Sequence, residues 1–275
     1  MDRLGSPSLP PIEIDSIMKK SQTRVWKALN GEPEFIISVS ETQNILDKFA
    51  SSKIDLVILH VDLVGSTKLS MTLSLDRLRM MIQSFNQEMS LIVKEFGGFV
   101  LKYVGDAVLA FFVVGSGHQS ERKVICARAI NCAICMLQVA QRGINPILSQ
   151  YECPQMKIRI GIDMGENVII QSGWDIHQRL TGMEKDENDA VNNRTSSILK
   201  KPVYDILGYT TSLAVKMTAL ANPNHMVIGE LVYEALEDGQ KSTYKQLNVS
   251  SEVWNYVSSN TGNTGENVYS VYTNK

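Results

Sequence analysis

The sequence has almost no net charge, no long apolar segment and few cysteines. A formal net charge of -2 over 275 residues gives no electrostatic reason to expect nucleic acid or an anionic membrane as the main partner. The first residues show neither the apolar core of a signal peptide nor a Met-Gly myristoylation signal, and no stretch approaches the roughly 18 apolar residues of a membrane span. These absences predict a cytoplasmic protein without direct membrane contact.

The four cysteines do not form a metal-binding pattern. Cys132 and Cys135 have the C-x-x-C spacing of zinc and redox sites, but no second pair of ligands lies near them. Both fall in residues 124–139, where apolar side chains recur with the period of a buried helix. Because a buried cysteine behaves as a small hydrophobic residue, this pattern predicts a core helix rather than a metal or redox centre.

The chain divides into an N-terminal arm, residues 1–52, and a larger domain, residues 53–275. In the arm, a tail rich in proline and serine at residues 1–13 precedes two predicted helices, at 13–29 and 41–49. The arm resembles no sensor domain, so we interpret it as an element for packing or dimerisation.

The larger domain alternates between extended and helical patterns. Apolar runs joined by hairpin turns and separated by helices predict an α+β fold with one mixed sheet flanked by helices. A polar segment at about residues 172–201 predicts an insertion or a long loop. The predicted strands are 54–61, 99–104, 107–113, 156–164, 167–171, 226–228 and 268–272, and the predicted helices are 73–96, 119–142, 209–220 and 230–236.

Two segments place an aspartate where an apolar strand stops. They are residues 60–67 (HVDLVGST), which contain Asp62, and residues 97–111 (GGFVLKYVGDAVLAF), which contain Asp106. A carboxylate in that position is costly unless it is paired, hydrated or bound to a metal, although a single such aspartate is more often a cap or turn residue. If the two strands are neighbours, both carboxylates point into one small space and require a cation between them.

Divalent cations suit this carboxylate pair. Mg²⁺ and Mn²⁺ prefer oxygen ligands and favour a triphosphate substrate. Directly after Asp62, Gly65, Ser66 and Thr67 begin the next helix, and their free backbone N–H groups can hold phosphate oxygens without a basic side chain.

These segments resemble the two metal motifs of the class III adenylyl and guanylyl cyclases. Residues 157–163 (KIRIGID) and 205–217 (DILGYTTSLAVKM) resemble two later motifs of that family, so the resemblance extends in order over roughly residues 53–272. It implies a ferredoxin-like core and a head-to-tail homodimer whose active sites lie at the subunit interface. It also implies two divalent ions, Mg²⁺ or Mn²⁺, bound by Asp62, Asp106 and the carbonyl of Leu63, with Arg159 contacting the triphosphate.

The resemblance also implies that the facing subunit supplies the other half of each site. Lys102 and Asp205 match the pair that binds the base. Ser212 and Lys216 stand where the family has an asparagine that orients the ribose and an arginine that stabilises the transition state. Lysine keeps the charge of arginine but loses its planar bidentate donors, so this exchange is not neutral.

The identity of the base stays open at this stage. Lys102 with Asp205 is the family's usual pair for ATP, yet one donor beside one acceptor also suits uracil and cytosine. The short layout resembles the stand-alone pyrimidine cyclases of bacterial anti-phage systems, whose cyclic UMP or cyclic CMP is bound by a separate effector. We therefore predict UTP, then CTP, with ATP as the alternative; GTP is disfavoured because guanylyl cyclases usually have glutamate at the position of Lys102.

Two other classes of protein compete with a cyclase. The same fold could bind a nucleotide or a partner without turnover, as a pseudocyclase, but both metal-binding aspartates are present. A diguanylate cyclase or polymerase palm shares the two-metal arrangement, but it would be expected to carry a G-G-[DE]-E-F turn where this chain has Val104-Gly105-Asp106.

Overall fold

A computed structural model describes residues 13–31, 39–115, 118–179, 197–257 and 268–275. The strands are β1 (Lys53–Leu63), β2 (Phe99–Val104), β3 (Ala107–Val113), β4 (Ile158–Arg179), β5 (Ser197–Leu207), β6 (His225–Gly229), β7 (Tyr244–Gln246) and β8 (Val271–Asn274). The helices are α1 (Ile14–Leu29), α2 (Val39–Lys48), α3 (Ser66–Thr72), α4 (Leu75–Glu95), α5 (Gln119–Gln138), α6 (Asn145–Gln150), α7 (Tyr209–Leu220), α8 (Glu230–Glu234) and α9 (Asp238–Lys241).

One mixed sheet organises the chain, which confirms the predicted α+β fold. Its strands lie in the order β2-β3-β1-β4-β6-β8-β7, and β5 pairs with the far part of β4. The central strand β1 is antiparallel to both β3 and β4, whereas β4 and β6 are parallel.

The apolar run of β1 is explained by burial on both faces. Val57, Leu59 and Val61 join a large core cluster with side chains of α4 and α5. Leu56 and Ile58 join a second cluster with side chains of α2 and α7 on the opposite face. A strand covered on both sides has no solvent-facing positions, so its sequence reads as continuous rather than alternating apolar residues.

Both helices of the N-terminal arm pack on the larger domain. Helix α1 contributes to the main core, and its Arg24 donates from Nε and Nη2 to the Glu88 carboxylate of α4, at 2.7 and 2.6 Å. In α2, Thr42 donates to the Val100 carbonyl at 2.8 Å. Both helices thus contact the larger domain, whereas the interpretation of the arm as an element for packing or dimerisation and its boundary at residue 52 stay predictions. The tail predicted at residues 1–13 lies outside the described residues except for Glu13.

The cysteine-containing helix is a core helix, as predicted. All four cysteines are buried and unbridged, and burial raises the pKa of the Cys126 and Cys135 thiols to about 12. The helix does not end near residue 142 but continues through a π-helical turn, Val139–Ile144, into α6. Within the described part of the chain, Gln119–Gln150 is one helix long and apolar enough to cross a membrane, contrary to our expectation, although half of its apolar window is buried in the protein.

Strand β4 corrects two predictions. The predicted strands 156–164 and 167–171 are not a pair, because from Ile158 onward they belong to one strand of 22 residues. The polar segment at residues 172–201 is not a simple loop, because its described ends extend β4 and β5 into a hairpin that pairs as far as Arg179 with Ser197. The side chains from Gln171 to Ile176 are mostly exposed, so the backbone pairs there without the burial pattern from which a strand is predicted. Residues 180–196 lie outside the described ranges.

Smaller differences occur near the C-terminus. The last strand is Val271–Asn274 rather than 268–272, since Val268 makes only an isolated bridge with Val257. Strand β7 and helix α9 were not predicted; each is no more than four residues long, too short for a periodic pattern.

Two glycines let α7 pack directly on β4. A Cβ atom on Gly161 would lie 2.0 Å from the Ala214 carbonyl oxygen of α7, and one on Gly165 would lie 2.4 Å from the Tyr209 hydroxyl. Both distances are far below van der Waals contact. At Gly161 the atom is helix backbone, so only glycine allows this approach, whereas at Gly165 it is the end of the Tyr209 side chain. The close packing fixes α7, and with it Ser212 and Lys216, relative to the sheet.

A buried carboxyl lies between those glycines on the same strand. Asp163 is fully buried, its Oδ1 atom accepts a 2.6 Å hydrogen bond from the Tyr269 hydroxyl, and its Oδ2 atom has no partner among the described residues. Burial raises the pKa of Asp163 to about 7, and the nearby Glu230 carboxylate acts in the same direction. The carboxyl is therefore most compatible with the fold when it is protonated.

The glycine contact predicts a large stability difference between two substitutions. Gly161→Ala should lower the free energy of unfolding by about 3 kcal/mol, because a methyl group there collides with backbone rather than with a flexible side chain. Gly173→Ala is the matched control, since it lies in the same strand with nothing within 4 Å of an added Cβ. Chemical denaturation measures both; equal stability of the two variants would contradict the proposed contact.

The raised pKa of Asp163 predicts a pH-dependent term in stability. The folded-state pKa of about 7 exceeds the reference value of 3.8, so the unfolded chain releases this proton first and stability falls as the pH rises from about 4 through 7. Asp163→Asn has no such proton to release and should not show that fall. Between pH 4 and 8, the free energy of unfolding of this variant should therefore rise relative to that of the wild type by up to about 4 kcal/mol. Asp238→Asn, at an exposed position, is the control and should show the same pH dependence of stability as the wild type. If Asp163→Asn also shows the wild-type pH dependence, the raised pKa of Asp163 is contradicted.

Candidate active site

The pairing of β1 with β3 brings Asp62 and Asp106 together. Asp62 lies opposite Ala107 in the register, and Asp106 directly precedes Ala107 in the β2–β3 turn. Gly105 makes that turn with a left-handed φ of 63°, a conformation that glycine adopts without strain. The two strands are thus neighbours, as the sequence interpretation required.

The Asp62 and Asp106 carboxylates both lie close enough to His60 to affect the pKa of its imidazole. His60 lies two residues before Asp62 in β1, and burial lowers the pKa of its imidazole, while the Asp62 and Asp106 carboxylates oppose that shift. Its Nδ1 atom is 2.9 Å from the Thr218 hydroxyl of α7. His60 was not predicted from the sequence, although its position on the same face of the strand as Asp62 could have identified it.

Arg159 lies directly across the β1–β4 pair from Asp62. Its Nη2 atom donates to Asp62 Oδ2 at 2.7 Å, and both side chains are partly buried. Two polar atoms nearby have no partner among the described residues, namely Arg159 Nε and Asp106 Oδ2, and both are buried. A buried carboxylate oxygen without a donor is unusual, and a bound water, an ion or a proton would satisfy it.

The residues at this position fit a divalent cation. The orphaned Asp106 oxygen and the Asp62 carboxylate supply hard, anionic ligands, and Leu63, the last residue of β1, follows Asp62 directly. Among the described residues, no three His, Cys, Asp or Glu side chains cluster as a complete metal site. Bound ions would therefore need water and substrate oxygens to complete their coordination, which is typical of Mg²⁺ bound with a nucleotide.

Helix α3 begins shortly after Asp62 along the chain, at Ser66. Gly65 precedes it with a left-handed φ of 76°, and Ser66 and Thr67 form its first turn. The first N–H groups of a helix have no intrahelical acceptor, so those of this turn are available to an anion. That they hold phosphate stays a prediction.

Lys102 and Asp205 form an ion pair within one chain. Lys102 Nζ donates to Asp205 Oδ2 at 2.5 Å, and Asp205 Oδ1 accepts the Ile206 N–H at 2.8 Å. Helix α2 holds β5 at this position, because the Gln43 side chain bonds both the N–H and the carbonyl of Tyr204. Both members of the ion pair remain partly exposed, so their remaining donors and lone pairs can form hydrogen bonds with a nucleotide base.

Ser212 and Lys216 lie one turn apart on the exposed face of α7. Lys216 Nζ is 5.4 Å from the centre of the Tyr256 ring. Tyr256 was not predicted from the sequence, because it lies forty residues away in an irregular segment without a motif.

The predicted site residues thus form three groups. Asp62, Asp106 and Arg159 surround the candidate cation site, Lys102 is bonded to Asp205, and Ser212 and Lys216 share a helix face. Within the described ranges, no hydrogen bond or ion pair joins residues of different groups. One chain therefore presents separate parts of a site rather than a closed pocket.

Part of this chain is similar to a known protein family. Residues 50–178 match the family described as the adenylate and guanylate cyclase catalytic domain. That range contains Asp62, Asp106 and Arg159.

Two curated relatives are cytidylate cyclases. The one from Staphylococcus aureus is 27% identical over 233 residues, which is 83% of this chain and 46% of the relative. The one from Escherichia coli is 32% identical over 124 residues, 44% of this chain and 26% of the relative. This chain therefore spans less than half the length of either.

Among solved structures, the guanylyl cyclase Cya2 has a similar fold. Its TM-score is 0.56 at 16% sequence identity, and the match covers 82% of this chain and 93% of Cya2. At that identity the likeness establishes the fold of the domain.

Proposed function

We propose that this chain is a class III nucleotidyl cyclase, the family to which its sequence and fold are similar, and that it converts a pyrimidine nucleoside triphosphate to a 3′,5′-cyclic nucleotide. In this reaction the 3′-oxygen attacks the α-phosphorus, its proton is lost, and pyrophosphate leaves. The observation that carries the proposal is the Asp62–Asp106 pair, in which one buried carboxylate oxygen has no donor among the described residues.

On the metal side of the site, Asp62, Asp106 and the Leu63 carbonyl would hold two divalent ions. Such ions lower the pKa of a bound hydroxyl and neutralise charge on the phosphates. Arg159 already donates to Asp62, and its buried Nε, which has no partner in the described part of the chain, is a further donor for a triphosphate oxygen. The N–H groups at the start of α3 would hold the remaining phosphate oxygens.

The other half of the site would come from a second copy of the chain. The residues predicted to contact base, ribose and transition state are partly or fully exposed in one chain. Next to them, large apolar side chains are also exposed, namely Val104 at 59%, Leu207 at 58% and Val215 at 41%. A head-to-tail dimer would bury these side chains and bring Lys216 to the partner's phosphates, where a cation can stabilise developing charge.

Cytosine suits the ion pair that would bind the base. Lys102 can donate to cytosine N3, while a lone pair of Asp205 accepts from the neighbouring amino group. The cytidylate cyclase names of the two relatives favour CTP over the UTP that the sequence analysis placed first. We expect the cyclic nucleotide to act as a messenger for a separate effector, as the resemblance to anti-phage cyclases implies.

Substrate choice is tested with an equimolar mixture of ATP, GTP, CTP and UTP and Mn²⁺ or Mg²⁺. Mass analysis of the products should show mainly cyclic CMP, with cyclic UMP second, together with pyrophosphate. Asp106→Asn should lower the rate on the order of 10³-fold, because it removes a metal-binding charge. Cyclic AMP as the main product would overturn the pyrimidine assignment, and no product from any nucleotide would indicate a pseudocyclase.

The shared site is tested by mixing two inactive variants. Asp62→Ala and Lys102→Ala should each abolish activity, because every site in either homodimer then lacks one residue. In a mixed dimer one of the two sites is intact, so random reassociation should restore about a quarter of the wild-type activity. Asp62→Ala mixed with Asp106→Ala is the matched control and should stay inactive, since both residues belong to the same half. Equal rescue in the two mixtures, or none in either, would argue against a shared site.

A further inference from the structure

Lys216 is in contact with an aromatic ring. Its Nζ atom lies 5.4 Å from the centre of the Tyr256 ring, within the range of a cation–π contact. Lys216 is the only charged residue of α7. No acidic side chain in the described ranges forms a salt bridge with it, so the ring is its one electrostatic partner among those residues.

Tyr256 is itself held in place from two sides. Its carbonyl accepts a 2.7 Å hydrogen bond from the Tyr269 N–H. Its ring packs edge-to-face against the buried Trp254, with the centroids 4.8 Å apart and the planes at 77°. The Trp254 indole N–H donates to the Tyr269 carbonyl at 2.7 Å, so the platform beneath Lys216 is anchored in the core.

This platform belongs to the same apolar cluster as α7. Leu213 and Met217, which flank Lys216 on the buried side of the helix, pack with Trp254 and Tyr269, and Tyr256 borders that cluster. The helix and the ring therefore keep a fixed relation to each other. The opposite side of the ammonium group is open, because Lys216 is exposed.

We propose that Tyr256 is a positioning residue for Lys216, and that its ring fixes the ammonium group that faces the reacting phosphates. The inference rests on the proposed function. A lysine on a flexible four-carbon stem carries a point charge without the planar donor fork of arginine, and it loses conformational freedom when it is fixed. A ring that already holds the ammonium group removes much of that loss before substrate binds, which would compensate for a lysine at this position.

The test compares three variants in the full-length protein with CTP and Mn²⁺. Tyr256→Leu should lower kcat about tenfold, with KM within about twofold of the wild type, because the lost cation–π contact acts on the reacting state. Tyr256→Phe keeps the ring and should retain kcat. Tyr233→Leu is the matched control, since it removes the similar contact between Lys241 and Tyr233, at 5.8 Å, and should leave kcat unchanged.

A double-mutant cycle separates positioning from general destabilisation. In a Lys216→Met background, Tyr256→Leu should cause no further loss of kcat, because the group it positions is gone. An equal loss in both backgrounds would overturn the inference. So would a wild-type kcat for Tyr256→Leu, or a loss that the Phe variant shares.

A readout that needs no turnover separates this inference from the proposed function. After ¹³C-methylation of the lysines, the NMR signal that disappears in Lys216→Met should be shifted upfield by the aromatic ring. Tyr256→Leu should move it to the position of an ordinary surface lysine, and an unshifted signal in the wild type would overturn the contact. A wild type with the shifted signal but no cyclic product would instead overturn the proposed function, and the catalytic role of the pair with it.

Discussion

The antiparallel pairing of β1 with β3 and β4 is the constraint on which the candidate site depends. This register sets Asp62 opposite Ala107 on one side and opposite Arg159 on the other. The same register sets the position of Asp106, because Asp106 occupies the turn immediately before Ala107. A slip of one residue would turn Asp62 to the other face of the sheet. Val61, which directly precedes Asp62, packs in the main core, so the core and the candidate site depend on the same strand.

The second constraint is the close approach of α7 to β4. Gly161 leaves room for the helix backbone and Gly165 for the Tyr209 side chain, and His60 bonds to Thr218 across the same contact. Strand β1 thus carries Asp62, and helix α7, which is bonded to β1 through Thr218, carries Ser212 and Lys216. In a dimer with shared sites, these residues would serve different active sites. The contact between β1 and α7 would then connect the metal-binding half of one site to the phosphate-binding half of the other.

The sequence predicted those features that depend on local patterns. The apolar run before Asp62, the Gly-Asp turn at Asp106 and the helical period of α7 each lie in one short segment, and each was found in the structure. The extended hairpin was missed because the side chains from Gln171 to Ile176 are mostly exposed. Backbone pairing between two strands needs no apolar side chains, so it leaves no periodic trace in such a segment.

The sequence predicted which residues would carry the chemistry: two aspartates at strand ends, a lysine and an aspartate proposed to bind the base, and a single lysine on α7. The tertiary structure alone decided their partners. Only the fold brings Arg159 to Asp62, joins Lys102 to Asp205 across 103 residues, and places the Tyr256 ring beside Lys216. The reason is physical: a motif fixes neighbours along the chain, whereas these contacts join distant segments that meet only when the sheet and its helices are packed.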